Sequence, residues 1–203
     1  MNENIGGNNE AKVIFLGDNG VGKSAILASI INGTTSLPEN CTIFSGTFDK
    51  NDGSGEKVSI TFWDTIKQEN YKNHTPIYYK SALGAIVVFD ITNRSSFEKL
   101  NEIIEKVKEE ADPSIITFLV GNKKDLESNG NRVVTKEEAE KYAENIGAFY
   151  IEVSALSKEG INDLINLLTI RIPKPTQSNQ VHRLYQQQPL KTNFCSRLTC
   201  GAR

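Results

Sequence analysis

Cysteine and histidine are scarce in this sequence, and each scarcity removes a class of protein. Cys41, Cys195 and Cys200 are the only cysteines in 203 residues, too few and too scattered for a disulfide framework, which points to a reducing compartment with the cytosol as the default. The two histidines, His74 and His182, stand too far from them to build a zinc site. Charge of one sign is also missing: a net charge of -2 supplies no global attraction to nucleic acid or to an acidic membrane. The longest apolar run, Ala82 to Phe89, is far short of a membrane span. Met1 to Glu10 lack the apolar centre of a secretion signal and read as a short disordered lead. What remains is a chain with 38% hydrophobic and 24% charged residues, enough for one substantial core in one domain.

The most informative stretch is Lys12-Val13-Ile14-Phe15-Leu16-Gly17-Asp18-Asn19-Gly20-Val21-Gly22-Lys23-Ser24, an apolar strand running into a glycine-rich turn. It fits G-x-x-x-x-G-K-S/T, a phosphate-binding loop. Glycines let the backbone curl so that successive N–H groups face a phosphate, and the following helix adds its positive end. Asn19, Gly20, Val21, Gly22, Lys23, Ser24 and Ala25 are the expected cradle, with Lys23 reaching the β- and γ-phosphates and the Ser24 hydroxyl ligating Mg²⁺. The context supports this reading, since Ala25 to Ile31 is apolar and helix-compatible.

Further along, Asn32-Gly33 closes that helix and Thr34 to Thr42 reads as a loop beside the nucleotide. Ile43 to Phe48 and Val58 to Trp63 flank a run of turn formers and predict a β-hairpin. Gln68 to Ser81 reads as loop plus an irregular helix interrupted at Pro76. Gly84 to Asp90, Ile115 to Gly121 and Ala148 to Val153 are continuous apolar runs of the kind buried in a parallel sheet. Helical patterns lie between and after them at Ser96 to Glu110, Thr135 to Ile146 and Gly160 to Ile172, the first two opening on Ser and Thr caps. The expected fold is α/β: a mixed, mostly parallel six-stranded sheet with helices on both faces and a hairpin at one edge. Ligands in such a sheet sit at the carboxyl ends of the strands. From Pro173 to Arg203 the composition turns polar and aperiodic, which predicts a disordered tail after a domain spanning residues 11–172.

Two more constellations fall at strand ends. Gly121-Asn122-Lys123-Lys124-Asp125 offers a carboxylate to the N1–H and N2–H₂ donors of guanine, a pair that adenine lacks. Asp125 then selects guanine, because the wrong base leaves a buried carboxylate unpaired, while Asn122 supports the base edge and the Lys123 stem covers its face. Ser154-Ala155-Leu156 would present a backbone N–H to the guanine oxygen, or be an ordinary strand end. Asp64 can hold a Mg²⁺-bound water, and Gln68, four residues on, can orient water toward the γ-phosphate.

In this order and at these intervals the motifs resemble the Ras superfamily of small GTPases. The loop Gly17 to Ser24, Tyr78-Tyr79-Lys80-Ser81-Ala82 and Val88-Phe89-Asp90-Ile91-Thr92 look most like Rab proteins, over about residues 11 to 172. The resemblance implies a P-loop NTPase fold, a small-GTPase G domain, and a monomeric switch in which GTP orders two segments and hydrolysis releases them. It implies Mg²⁺ as cofactor and guanine nucleotide as ligand. It also implies effector, exchange-factor and GTPase-activating partners, and a place in vesicle trafficking, cycling between cytosol and the cytosolic face of a membrane. Thr42, 18 residues after Ser24, is the position that would bind Mg²⁺ and the γ-phosphate. Phe48, Trp63 and Tyr78 are similar to the aromatic trio that Rab proteins turn to effectors, and each is equally compatible with the core.

The sequence departs from the family in three places. Thr65-Ile66-Lys67-Gln68-Glu69 puts Lys67 where the family has a glycine whose N–H donates to the γ-phosphate. Thr35 stands where an aromatic stacks on guanine, a loss of about 1 kcal/mol, or roughly fivefold in affinity. Cys200-Gly201-Ala202-Arg203 fits a prenylation box poorly, leaving Cys195 and Cys200 as either lipid-bearing or unmodified thiols. Two functions compete. The first is a GTPase that is slow until a partner supplies a cationic finger; the second is a guanine-nucleotide-binding module with little hydrolysis because of Lys67.

Overall fold

The computed structural model describes residues 10–33, 41–64, 76, 78–173 and 193–195. Thr35, Lys67, Gln68, Cys200 and most of the segment expected to be an irregular helix lie outside them. The elements are β1 (Glu10–Gly17), α1 (Lys23–Asn32), β2 (Cys41–Asp49), β3 (Lys57–Asp64), β4 (Gly84–Asp90), α2 (Arg94–Glu98), α3 (Leu100–Glu110), β5 (Ile116–Asn122), α4 (Lys136–Ile146), β6 (Phe149–Glu152), α5 (Ile161–Arg171) and β7 (Asn193–Cys195). A 3-10 helix at Lys124–Asn129 follows β5.

The expected six-stranded mixed sheet is present in the order β6-β5-β4-β1-β3-β2, and β7 extends it by a seventh strand at β2. Those three residues come from the segment the sequence leaves without regular structure, whose few apolar residues gave no strand period. Only β2 and β3 run antiparallel, as the predicted hairpin, from Ile43 opposite Trp63 to Asp49 opposite Lys57. β4, in the middle, is buried along its whole length, which is why its sequence is apolar without alternation.

Alternation along β1 divides the core in two. Val13 and Phe15 face Ile26, Leu27, Leu164 and Leu168 of α1 and α5. Ile14 and Leu16 face the side covered by Phe97, Leu100, Ile104 and Ala143, from α2, α3 and α4. Each fully buried Leu, Ile or Phe contributes about 1.5–3 kcal/mol, so the two layers fix the sheet firmly against its helices.

Helix starts follow local hydrogen bonding. Thr135 caps α4 as expected, its hydroxyl accepting from the Glu138 N–H at 3.2 Å. The helix expected from Ser96 instead starts at Arg94 and is divided into α2 and α3. Its cap is Asn93, whose side-chain Oδ1 accepts from the Ser95 N–H at 3.1 Å. Ser96 turns inward, donating to the Asn93 carbonyl at 2.7 Å and accepting from the Asp90 N–H at 3.0 Å. A hydroxyl in an apolar interior takes the nearest backbone partners, and that burial removes it from capping.

β1, β3, β4, β5 and β6 are mutually parallel through successive pairings. Their last residues, Gly17, Asp64, Asp90, Asn122 and Glu152, therefore come out at one edge of the sheet.

Candidate functional site

At that edge the chain leaves β1 through a turn that only glycine accommodates at two points. Gly17 has φ 141, and a Cβ there would lie 2.3 Å from the Val88 carbonyl oxygen; Gly22 has φ 97, and its Cβ would lie 2.2 Å from Asn122 Nδ2. The turn delivers the chain into α1, whose start has neither a side-chain cap nor an acidic first turn. Amide donors with no competing side-chain acceptor are what a phosphate needs at a helix start. Lys23 is 1% exposed, and its ammonium donates to the carbonyls of Gly17 and Asp18, both at 2.7 Å. The Lys23 cation is thus folded back over the loop that precedes it.

Asp18 is tied to α3 by an ion pair with the Lys99 ammonium at 2.7 Å, just before that helix begins. Partial burial pushes its carboxyl up. The Lys99 hydrogen bond, the Asn19 N–H and the charges of Lys99 and Lys23 outweigh that and hold it below its usual range.

The Ser24 hydroxyl donates to Asp64 Oδ2, and Asp64 is 3% exposed at the end of β3. A hydroxyl and a buried carboxylate that touch can share one hard cation, with water and phosphate oxygens completing six oxygen ligands. Among the described residues no group of three or more His, Cys, Asp or Glu gathers to hold a metal. One hydroxyl and one carboxylate, with positions left for water and phosphate oxygens, are donors of the kind that Mg²⁺ takes. Thr42 stands in β2 with only its backbone described, and Gln68 lies outside the described residues.

The segments that follow β5 and β6 meet the glycine-rich turn through Asn122. This side chain is 2% exposed; its Nδ2 donates to the Val21 carbonyl at 2.8 Å, and its Oδ1 accepts from the Ala155 N–H at 3.2 Å. Asn122 therefore fastens three loops together. Lys123 has φ 67, and its ammonium pairs with Asp90 Oδ2 at 2.7 Å, so its stem lies across this corner. Asp125 Oδ1 accepts from the Ser154 hydroxyl at 2.5 Å, which orients the carboxylate. The same hydroxyl accepts from the Ser157 N–H at 3.0 Å, which sets the loop carrying Ala155. Leu156 is 70% exposed and contributes its backbone rather than packing.

Some residues of this corner escape the sequence motifs. Arg132 donates to both oxygens of Glu152 at 2.9 and 2.8 Å, to Glu127 at 2.8 Å and to the Val134 carbonyl at 3.0 Å. It braces the end of β6, immediately before Val153-Ser154-Ala155. The pairing spans 20 residues with no local pattern, so nothing in the sequence joins the two. Asp90 was more legible: its Oδ1 accepts from Thr92 N–H at 2.8 Å and Thr92 hydroxyl at 2.7 Å, the Asp-x-Thr turn that local spacing favours.

The aromatic trio is not on one face. Trp63 and Tyr78 meet edge to face with ring centres 5.9 Å apart. Phe48 pairs with Val58 and packs against Phe62 at 6.0 Å, on the α1/α5 side of the sheet. Side chains alternate along a strand, so with Ile43 opposite Trp63 the residues of β2 on the Trp63 face are Ile43, Ser45, Thr47 and Asp49. The expectation that Phe48 faces partners is therefore corrected, because one residue of register moves a side chain to the other face. In its place Thr47 and Ser59 hydroxyls lie 3.0 Å apart, and Ser45 and Thr61 both donate to Glu10 Oε2.

Compared with known proteins, residues 12–174 match the sequence model of the Ras family. The Ras-related protein Rab5 of Nicotiana tabacum is 36% identical over 171 residues, covering 82% of this chain and 83% of the relative. The Ras-related protein RABA4b of Arabidopsis thaliana is 38% identical over 163 residues, covering 79% and 71%. The Ras-related protein Rab-18 of Caenorhabditis elegans is 39% identical over 154 residues, covering 74% and 73%.

Proposed function

The chain belongs to the Ras family of small GTPases, is most similar to Rab proteins, and from that premise we propose how its own residues bind and hydrolyse GTP. The observation that carries the reading is the junction at Asn122, which ties Val21 of the phosphate loop to Ala155 beside Asp125. One buried side chain joining a phosphate cradle to a carboxylate aimed at a base suits a nucleotide whose phosphates and base are read together.

In this reading the N–H groups from Asn19 to Ala25 hold the phosphates, and Lys23 exchanges its two carbonyl partners for β- and γ-oxygens. Ser24, Thr42 and Asp64 would hold Mg²⁺, which would supply positive charge toward the phosphate oxygens. Asp125 accepts from guanine N1–H and N2–H₂, the Ala155 N–H donates toward the guanine oxygen, and Leu156 and Lys123 border the ring. Gln68 orients the attacking water. Partners are an effector, an exchange factor and an activating protein that supplies the missing cation. The tail from residue 173 carries the chain to the cytosolic face of an intracellular membrane through lipid on Cys200 or Cys195, in vesicle traffic.

A second reading rests on Lys67. With no glycine at that position, the N–H that would close on the γ-phosphate is less free to rotate, and the protein binds GTP while turning it over little. Single-turnover hydrolysis of GTP by wild type and by Lys67→Gly separates the two. Acceleration by the substitution on the order of tenfold, or about 1.4 kcal/mol in barrier, identifies Lys67 as the brake. An unchanged rate rejects it. Competition by GDP but not ADP in the same protein tests the guanine assignment.

A further inference from the structure

An edge strand presents a row of N–H and C=O groups that another strand can join. In the sheet without β7 that edge is β2, whose first residues include Thr42. β7 takes the edge in parallel: Cys41 lies opposite Asn193, Ile43 opposite Phe194 and Phe44 opposite Cys195. The register shifts between Cys41 and Ile43, so Thr42 is the residue at which the ladder is irregular. Irregularities of this kind bend a strand locally.

The chain is long enough to make this pairing with itself. Between Pro173 and Asn193 lie 19 residues, which span at most about 65 Å when extended. A domain of this size is only about 40 Å across. Parallel strands need a long connection, and this one has it. A segment joined by a short linker also meets its edge at an effective concentration that a separate partner must exceed.

We propose that the outer edge of β2 is a strand-accepting surface whose occupant is the chain's own Asn193–Cys195, and that its docking holds the backbone on both sides of Thr42. The docking stands on the strand pairing alone, whereas its effect on nucleotide rests on the reading of Thr42 given above. When β7 is docked, Cys41 to Phe44 are locked into the sheet and Thr42 has one fixed position relative to the phosphate loop. When it leaves, β2 becomes the edge again, and its first residues can fray and can accept an extended segment of a partner.

The test uses the full chain. Hydrogen exchange of peptides covering residues 41–49 is compared in wild type, in Phe194→Pro, in a chain ending at Lys191, and in Leu198→Pro as a control beyond the strand. Proline at 194 removes an N–H and cannot extend the ladder normally. Phe194→Pro and the shortened chain are expected to exchange these amides roughly fivefold faster, the net worth of about one hydrogen bond, with the control like wild type. Equal protection in all four overturns the docking. Protection that grows with protein concentration also overturns it, because the strand then comes from a second copy. Release of a fluorescently labelled, non-hydrolysable GTP analogue is measured on the same proteins and is expected to accelerate roughly threefold or more when β7 is lost. Lost protection with unchanged release overturns the hold on Thr42. The exchange measurement needs no nucleotide, so failure of the GTPase reading is distinguishable from failure of this one.

Discussion

Truncating Asn122 to alanine strikes a buried side chain that joins the glycine-rich turn after β1 to the loop after β6. It removes a donor 2.8 Å from the Val21 carbonyl and an acceptor 3.2 Å from the Ala155 N–H. Val21 is 1% exposed and Ala155 5% exposed, so water does not readily replace the lost partners. Each buried backbone group left unpaired costs about 1–3 kcal/mol, and the longer contact to Ala155 belongs at the low end. The sum is about 2–5 kcal/mol, roughly 5–15 °C in melting temperature for a domain of this size. Asn122→Asp separates the two bonds: it keeps an acceptor for Ala155 but sets a carboxylate against the Val21 carbonyl, so it should be at least as damaging. The measurements are thermal unfolding of nucleotide-free protein and titration with GDP. Both variants are expected to melt early and to bind GDP on the order of a hundredfold more weakly. An alanine variant melting within about 1 °C of wild type refutes the fastening role, because less than 1 kcal/mol would then reside in both bonds.

Other expectations follow from buried polar groups and from strand register. Lys12 donates to the Lys80 carbonyl at 3.0 Å and lies 4.1 Å from the centre of the Trp63 ring. Burial pushes its ammonium down to about 7 from the usual 10.5, so between those pH values the unfolded chain holds more protons and stability rises with pH. Urea unfolding at pH 7 and 9.5 should show that rise flattened in Lys12→Met, and an undiminished slope would exclude Lys12 as its source. Arg132→Met strips Glu152, whose side chain is 7% exposed, of its bidentate partner. The expected cost is about 3–5 kcal/mol in urea unfolding, and a loss below about 1 kcal/mol would count against the brace. Phe48→Ala removes a half-buried ring from its contact with Phe62, and about 2 kcal/mol of stability should go with it. No loss would mean that the ring does not pack there.

The glycine-rich turn after β1 and the strand end at Asn122 were legible because their patterns are local. Gly17 to Ser24 need only consecutive dihedrals and a helix to follow, and Asn122 to Asp125 need only a strand to end. The α/β alternation was equally plain, since a run such as Gly84 to Asp90 has no polar face to offer water. Phe48 was not legible. Phe44 and Phe48 stand four residues apart, Thr47 and Phe48 one apart, and only the pairing of Ile43 with Trp63 decides which set faces the helices. The cap lies at Asn93 for a related reason: Ser95 and Ser96 both have the right chemistry, but Ser95 sits inside the first turn with its N–H on Asn93, and the fold buries Ser96 under Asp90.

By itself, then, the sequence determined the alternation of strands and helices from β1 to α5, the glycine-rich turn after β1, and the family to which the chain belongs. Those depend on residue type at short spacing, where backbone geometry leaves few alternatives. The tertiary structure decided which distant groups meet: Ser24 with Asp64, Asn122 with Val21 and Ala155, Arg132 with Glu152, and β7 with β2. Contacts across 20 to 152 residues are set by how the strands are ordered in the sheet and where their ends come out, and no period along the chain encodes that.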